Sequence, residues 1–337
     1  MDLDAVLTAP LADAAARAAE AEAAGFDGLV VPEANHDGFL PIALAATATR
    51  RARLGTSIAI AFARTPMTTA YVAHDLQQLS GGRFTLGLGP QIRPHIENRY
   101  SMPWSRPAAR MREYVVALRA IWASWNDGAP LDFRGDFYTH TLMTPMFSPG
   151  RSEYGPPPVH LAAIGPEMVR VAGEVADGFV AHPLTTAAYL DDVVGPLLVA
   201  GRAQGERTDA PAVEAWAMVA TGRTDEELAG SVELVRAQIG FYASTPAYVP
   251  ILAHHGDEAI QPELRTLSKR GDWHAMGRLV DDALLHRYAV VGEPDECARQ
   301  LLDRYEGRAE RVCLTIMSAD SLALGRRVLD AIRPSTR

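Results

Sequence analysis

Along most of the chain, short apolar runs alternate with stretches in which apolar residues recur every three or four positions. The first pattern predicts buried strands and the second amphipathic helices. Strands are expected at 4–8, 28–31, 54–62, 84–88, 159–163, 178–181, 212–220 and 311–317, and helices at 11–24, 40–51, 68–79, 167–176, 187–203, 225–239, 294–305 and 322–332. A parallel crossover needs a dozen or more residues, so strands separated by helices pair in parallel, and eight such units suit a closed (β/α)8 TIM barrel, an α/β fold. A doubly wound open sheet is the alternative. Residues 24–31 and 174–181 echo one another around Phe-Asp-Gly and Ala-Asp-Gly. The echo reads either as internal repetition or as ordinary Asp-Gly turn chemistry.

Two stretches interrupt the alternation: about 90–147, after strand four, and about 241–281, before strand eight. The first holds a helical pattern at 107–125 and a hairpin around 133–141; the second is broken by Thr-Pro, His-His and Gly-Asp. No linker separates them from the rest, so residues 1–337 are expected to form one barrel domain whose insertions serve as lids.

Composition narrows the function. The 337 residues are 48% hydrophobic with a net charge of −9, enough to build a core and without the basic face that phosphate backbones require. Nucleic acid is not expected as a partner. Two cysteines, Cys297 and Cys313, make neither a disulfide framework nor a cysteine-rich metal cluster. No apolar run reaches the ~18 residues of a membrane span, and the first residues lack a signal-peptide pattern, so a cytoplasmic location is expected. The sole lysine, Lys269, sits in a polar, basic stretch unsuited to Schiff-base chemistry.

In a parallel barrel the chemistry sits where strands end. The polar residues there are Glu33, Asn35, His36 and Asp37 after strand two, Gln91, His95 and Glu97 after strand four, and His182 after strand six. His36 with Asp37 could act as an acid/base pair, or Asp37 could cap the next helix beside a surface His36. His160-Leu-Ala-Ala-Ile-Gly-Pro-Glu-Met opens a strand of small residues into a helix with proline at its first position, where free main-chain N–H groups attract phosphate. Gly87-Leu-Gly89-Pro-Gln91 would let a planar ligand approach the backbone, but Ile92 breaks the nicotinamide fingerprint. Nucleophile-elbow, zinc-helix and Walker motifs are absent. His254-His255 fits a solvated or substrate-lining loop better than a metal site. Trp122 and Trp125 fall at core spacing, while Trp104 could wall a pocket.

Leu54-Gly-Thr-Ser-Ile-Ala, Asp75-Leu-Gln-Gln-Leu-Ser-Gly-Gly-Arg-Phe-Thr-Leu-Gly-Leu-Gly, Ala172-Gly-Glu-Val-Ala-Asp-Gly-Phe and Val290-Val-Gly-Glu-Pro-Asp-Glu together resemble the bacterial luciferase-like monooxygenase superfamily. Glu33-Ala-Asn-His-Asp-Gly-Phe-Leu-Pro and Pro94-His-Ile-Glu-Asn-Arg-Tyr-Ser-Met-Pro-Trp resemble its coenzyme F420-dependent oxidoreductases. The resemblance implies a barrel that holds a deazaflavin, coenzyme F420, or alternatively reduced FMN at the strands' carboxyl ends. It also implies a non-proline cis peptide at Ser57-Ile58, followed by Ala59, behind the ring, and a phosphate-contacting turn at Ala162-Ala163-Ile164-Gly165. Gly87, Gly89, Gln91, Asp37 and His182 complete the expected cofactor side. His36 is the expected proton donor or acceptor with Glu97 second; His95, Trp104 and His254 would face a small-molecule substrate. The expected reaction is hydride transfer between the deazaflavin and a small, largely uncharged organic molecule; an FMNH2-dependent monooxygenase and a noncatalytic flavin-binding relative are the alternatives. Family habit suggests a homodimer. Pro90, Gln91 and Ile92 stand where sugar-phosphate dehydrogenases of the superfamily carry Thr-Gly-Glu, and Ala34 where luciferases keep a histidine, so neither sugar phosphates nor light emission is expected.

Overall fold

Eight parallel strands close into a barrel: β1 (Asp2–Val6), β2 (Gly28–Val31), β3 (Arg53–Thr56), β4 (Phe84–Gly89), β5 (Val159–Ala162), β6 (Gly178–Val180), β7 (Ala212–Ala220) and β8 (Arg311–Ile316). The computed structural model describes residues 1–205, 209–318 and 320–333. Each strand pairs in parallel with the next. Pairing of β8 with β1, from Asp2 against Arg311 to Ala5 against Leu314, closes the circle. The open-sheet alternative is thereby excluded. The strands are almost wholly buried, as parallel strands covered by helices must be.

The echo between 24–31 and 174–181 has a structural content. Asp27 and Leu3 exchange a pair of hydrogen bonds: the Leu3 N–H donates to Asp27 Oδ2 at 2.8 Å, and the Asp27 N–H to the Leu3 carbonyl at 2.9 Å. Asp177 and Val159 repeat it, at 2.7 and 2.8 Å. The following glycines repeat too. A Cβ on Gly28 would collide with Asp4, and one on Gly178 with His160, the inward residues of β1 and β5. Asp-Gly is therefore good turn chemistry used twice, four strands apart, to tie one strand to its neighbour and leave lumen space for a polar side chain.

Three elements depart from the sequence expectation. The third strand does not run unbroken over 54–62: it stops at Thr56, resumes as Ala59–Ile60 and ends in a 3-10 turn, Ala61–Ala63. A short strand, Ala289–Val291, pairs with the last three residues of β7, where β6 has already ended. Three residues are too few for a periodic signal. The helix after β6 contains a π-helical segment, Leu190–Val194.

The stretch after β4 holds helix Arg93–Asn98, helix Pro107–Asp127 and the hairpin Phe133–Arg134/Thr139–His140. Trp122 and Trp125 are buried in the core, as their spacing indicates. Helices Val249–His255, Gln261–Arg270 and Trp273–Leu279 fill the second stretch, and helix Asp282–Tyr288 follows it. Both cysteines are free and buried. Among the described residues no helix is long and apolar enough to cross a membrane, and no group of three or more His, Cys, Asp or Glu side chains could hold a metal.

Candidate active site

A cavity of about 750 Å3 opens at the carboxyl ends of β2 to β6, with Trp216 of β7 beneath it and Tyr242, Ala247 and Tyr248 across it. Its floor is the break in β3. The Ser57–Ile58 peptide is cis, at the position the family resemblance implies. The break is held from β2: the Ser57 N–H donates to the Val31 carbonyl at 2.9 Å, and the Glu33 N–H to the Ile58 carbonyl at 3.2 Å. Beyond it, Arg64 forks onto both Glu33 carboxylate oxygens at 2.7 Å, while Glu33 Oε2 also accepts the Ile60 N–H.

Beneath the floor lies a buried polar network. Trp216 Nε1–H can only donate, and does so to Ser57 Oγ at 2.9 Å; the Ser57 hydroxyl therefore turns its own proton to Glu214 Oε1, 3.1 Å away. Arg53 donates to Glu214 Oε2 at 2.5 Å, and His160 Nδ1 lies 3.4 Å from the same oxygen. Burial pushes the Glu214 carboxyl up, but the Arg53 charge and neighbouring His160 outweigh it and hold Glu214 well below the usual carboxylate range. Since β7 borders neither β2 nor β3, these bonds cross the lumen.

Gly87 and Gly89 serve this floor. A Cβ on Gly87 would lie 1.9 Å from the Thr56 carbonyl, and one on Gly89 would meet Ile58 Cδ1 at 2.7 Å. The close approach that glycine permits at Gly87 is thus to the chain itself and not to a ligand; Gly87 does not line the cavity, whereas Gly89 does.

One wall is the turn Ala162-Ala163-Ile164-Gly165 and the start of helix Pro166–Val175. No side chain caps this helix, and no hydrogen bond of the described residues uses the main-chain N–H groups of Ile164, Gly165, Glu167 or Met168. Such a row is an anion site in waiting. Trp104 forms another wall, its ring edge against Phe62 at 5.7 Å. Buried Arg110 fixes that segment by donating to the Pro103 carbonyl and to Tyr138 Oη, with its guanidinium 4.5 Å from the Phe62 ring centre.

His182 is enclosed by aromatic rings. It stacks on Tyr248 at 4.1 Å and meets Tyr242 edge-on at 4.6 Å. Burial pushes its pKa down to about 3, so the ring is neutral at neutral pH. The Leu184 N–H donates to Nδ1 at 3.2 Å, which puts the remaining proton on Nε2.

Of the residues singled out from sequence, the cavity brings together Ser57, Ile58, Gly89, Gln91, Trp104, Ala162, Ala163, Ile164, Gly165 and His182. It does not gather His36, Asp37, Ala59, His95, Glu97 or His254. His36 is exposed, and Asp37 accepts the N–H groups of Phe39 and Leu40 and pairs with Arg64, which is the helix-capping alternative. Glu97 pairs with Arg93 one helical turn away and His95 is exposed. Ala59 is buried in the resumed strand. His254 is exposed at the end of its helix, 3.3 Å from Asp192. Loop residues adjacent in sequence point apart, and position after a strand does not fix direction. Sequence reasoning passed over Glu214, Trp216, Tyr242 and Tyr248. A glutamate and a tryptophan two apart within an otherwise apolar strand share one face, and that was the available signal for the first two.

The family model for luciferase-like monooxygenases matches residues 2–311. The Mycobacterium tuberculosis protein Rv1360 is 50% identical over 331 residues, covering 98% of this chain and 97% of its own. Rv3520c of the same organism, named as a candidate coenzyme F420-dependent oxidoreductase, is 29% identical over 304 residues, 84% of each chain. The fold is shared with the coenzyme F420-dependent tetrahydromethanopterin reductase of Methanopyrus kandleri (TM-score 0.80, 20% identity, 98% and 96% of the two chains). It is also shared with the FMN-complexed oxygenating component of 3,6-diketocamphane monooxygenase of Pseudomonas putida (TM-score 0.65, 16% identity, 98% and 97%).

Proposed function

The chain belongs to the luciferase-like monooxygenase family, and from that premise we propose that it is an F420-dependent oxidoreductase moving a hydride between the deazaflavin and a small, uncharged organic substrate. One observation carries the reading: a broad floor at Ser57–Ile58 shares its cavity with a row of unpartnered main-chain N–H groups at the start of helix Pro166–Val175. A planar ring with a phosphorylated tail needs both.

The residues present fit such a group. Gly89, Ala162 and Ala163 leave the wall beside the floor nearly free of side chains, and a Cβ on Gly165 would meet nothing within 4 Å. When bound, the deazaflavin supplies or accepts a hydride while the substrate gains or loses a proton. The protein's part is placement. Ser57, fixed between Trp216 and Glu214, sets the height of the floor. The main-chain N–H groups of Ile164, Gly165, Glu167 and Met168 would hold phosphate oxygens without a lysine. Ile92, Trp104 and Tyr248 exclude water from the reacting face, and His182 keeps one proton at Nε2.

The name of the 29%-identical relative Rv3520c favours F420 over FMN. Anaerobic turnover with loss of the deazaflavin's visible absorbance supports hydride transfer; oxygen consumption coupled to substrate would identify a monooxygenase instead.

A further inference from the structure

Among the polar groups around the cavity, His182 is distinguished by how completely its state is fixed. The Leu184 N–H occupies Nδ1, so the ring's one proton is on Nε2. Tyr248 covers one face of the ring and Tyr242 stands at its edge, so the imidazole cannot turn over without dismantling that packing. Nε2 has no hydrogen-bond partner among the described residues and stays accessible in a ring that lines the cavity. The charged groups there are otherwise engaged or peripheral: Glu33 is held by Arg64, Arg93 pairs with Glu97, and Glu167 pairs with Arg170 on the exposed start of its helix. Trp104 and Tyr248 make the surroundings largely apolar.

We infer that the cavity selects a neutral, largely apolar molecule carrying a carbonyl-type oxygen, and that His182 Nε2–H is the fixed donor that recognises this oxygen. The inference rests on the proposed oxidoreductase reading and deepens it by naming the substrate class. A neutral N–H donor matches an uncharged acceptor and gives an ammonium group nothing to pair with. A site built to hydrogen-bond also penalises an isostere that leaves its donor unpaired. Burial, which keeps the ring neutral, makes the preference independent of pH near neutrality.

The test measures binding of acetophenone and of its deoxygenated analogue ethylbenzene to the full chain by ligand-observed NMR, with and without F420. The readout is the ratio of the two dissociation constants. His182→Phe, which keeps an aromatic ring between Tyr242 and Tyr248, is expected to shift that ratio about tenfold against the ketone, the size of one hydrogen bond. His182→Gln, which retains an N–H donor, should recover part of it, and F420 affinity should stay within about twofold in both variants. An unchanged ratio in His182→Phe overturns the inference. So does a loss of F420 affinity matching the loss of ketone preference, which would assign the donor to the cofactor. If wild type fails to bind F420, the proposed function falls, and the ratio in cofactor-free protein still decides the role of His182.

Discussion

Ser57 and Glu214, 157 residues apart in sequence, face each other across the barrel lumen at 3.1 Å, and the tryptophan N–H on the other side of Ser57 Oγ dictates which of them donates. The floor of the cavity is therefore referenced to a buried, ionised carboxylate on the far side of the barrel and not only to its own strand neighbours.

Removing that carboxylate leaves the Arg53 guanidinium and the Ser57 hydroxyl without their acceptor, while Trp216 keeps its bond to Ser57 Oγ. Glu214→Ala is expected to destabilise the protein by about 3–5 kcal/mol in urea unfolding, the cost of breaking a buried ion pair from one side. Glu214→Gln should cost less at pH 7, because it keeps shape and one acceptor. The carboxyl's folded pKa lies below its unfolded value, so its contribution is present above about pH 4.5 and is lost as pH falls further. The gap between wild type and Glu214→Gln should therefore narrow below pH 4.5. A gap constant from pH 7 to pH 3 would show that Glu214 is not held ionised.

His182 gives a pH signature of a different kind. Its folded pKa, about 3, lies below the ordinary value of 6.5. Between those values the unfolded chain binds a proton that the folded chain does not, so stability falls as pH falls from about 6.5 toward 3. His182→Phe removes this site from the balance. The variant's stability should decline less steeply than wild type across that window, as followed by thermal unfolding at several pH values; parallel curves would mean that the imidazole is freely protonated in the folded state.

Two glycines separate structural from ligand-directed roles. Gly87→Ala places a Cβ 1.9 Å from the Thr56 carbonyl, a backbone atom that cannot rotate away, and is expected to cost about 1–3 kcal/mol or more of stability by overpacking. Gly165→Ala meets nothing within 4 Å and should stay within about 0.5 kcal/mol of wild type. Equal effects in a denaturant titration would contradict the contrast.

His36 and Glu97 lie outside the cavity. Substituting His36→Ala or Glu97→Gln should change F420 affinity and turnover by no more than about twofold. A drop of the ~100-fold size that general acid–base catalysis supplies would bring His36 into the site despite its exposure.

Much of this architecture was legible in the residues. The alternation of apolar runs and helical periods gave all eight barrel strands, and Gly165-Pro166 marked the turn at the start of the helix whose first N–H groups are unpartnered. The third strand misled, because Leu54 to Phe62 holds no charge or proline and its two polar residues, Thr56 and Ser57, are adjacent, so periodicity does not report a break there; Thr56 packs against Gly87 of the next strand at that point. The polar loop residues misled for a related reason. His36 and Asp37 stand at a strand end, but Arg64, nearly thirty residues on, draws the Asp37 side chain aside. Tyr242 and Tyr248 reach the cavity only through the packing of an insertion whose sequence carries no distinguishing motif.

We propose that this cavity holds a deazaflavin over the Ser57–Ile58 floor and by the main-chain N–H groups of Ile164, Gly165, Glu167 and Met168. It is tested most directly by titrating the purified protein with F420 and with FMN under the same conditions. The account predicts saturable F420 binding at least tenfold tighter than FMN, weakened when Gly165→Pro removes one N–H from the row. FMN binding tighter than F420, or F420 affinity indifferent to Gly165→Pro, would contradict it.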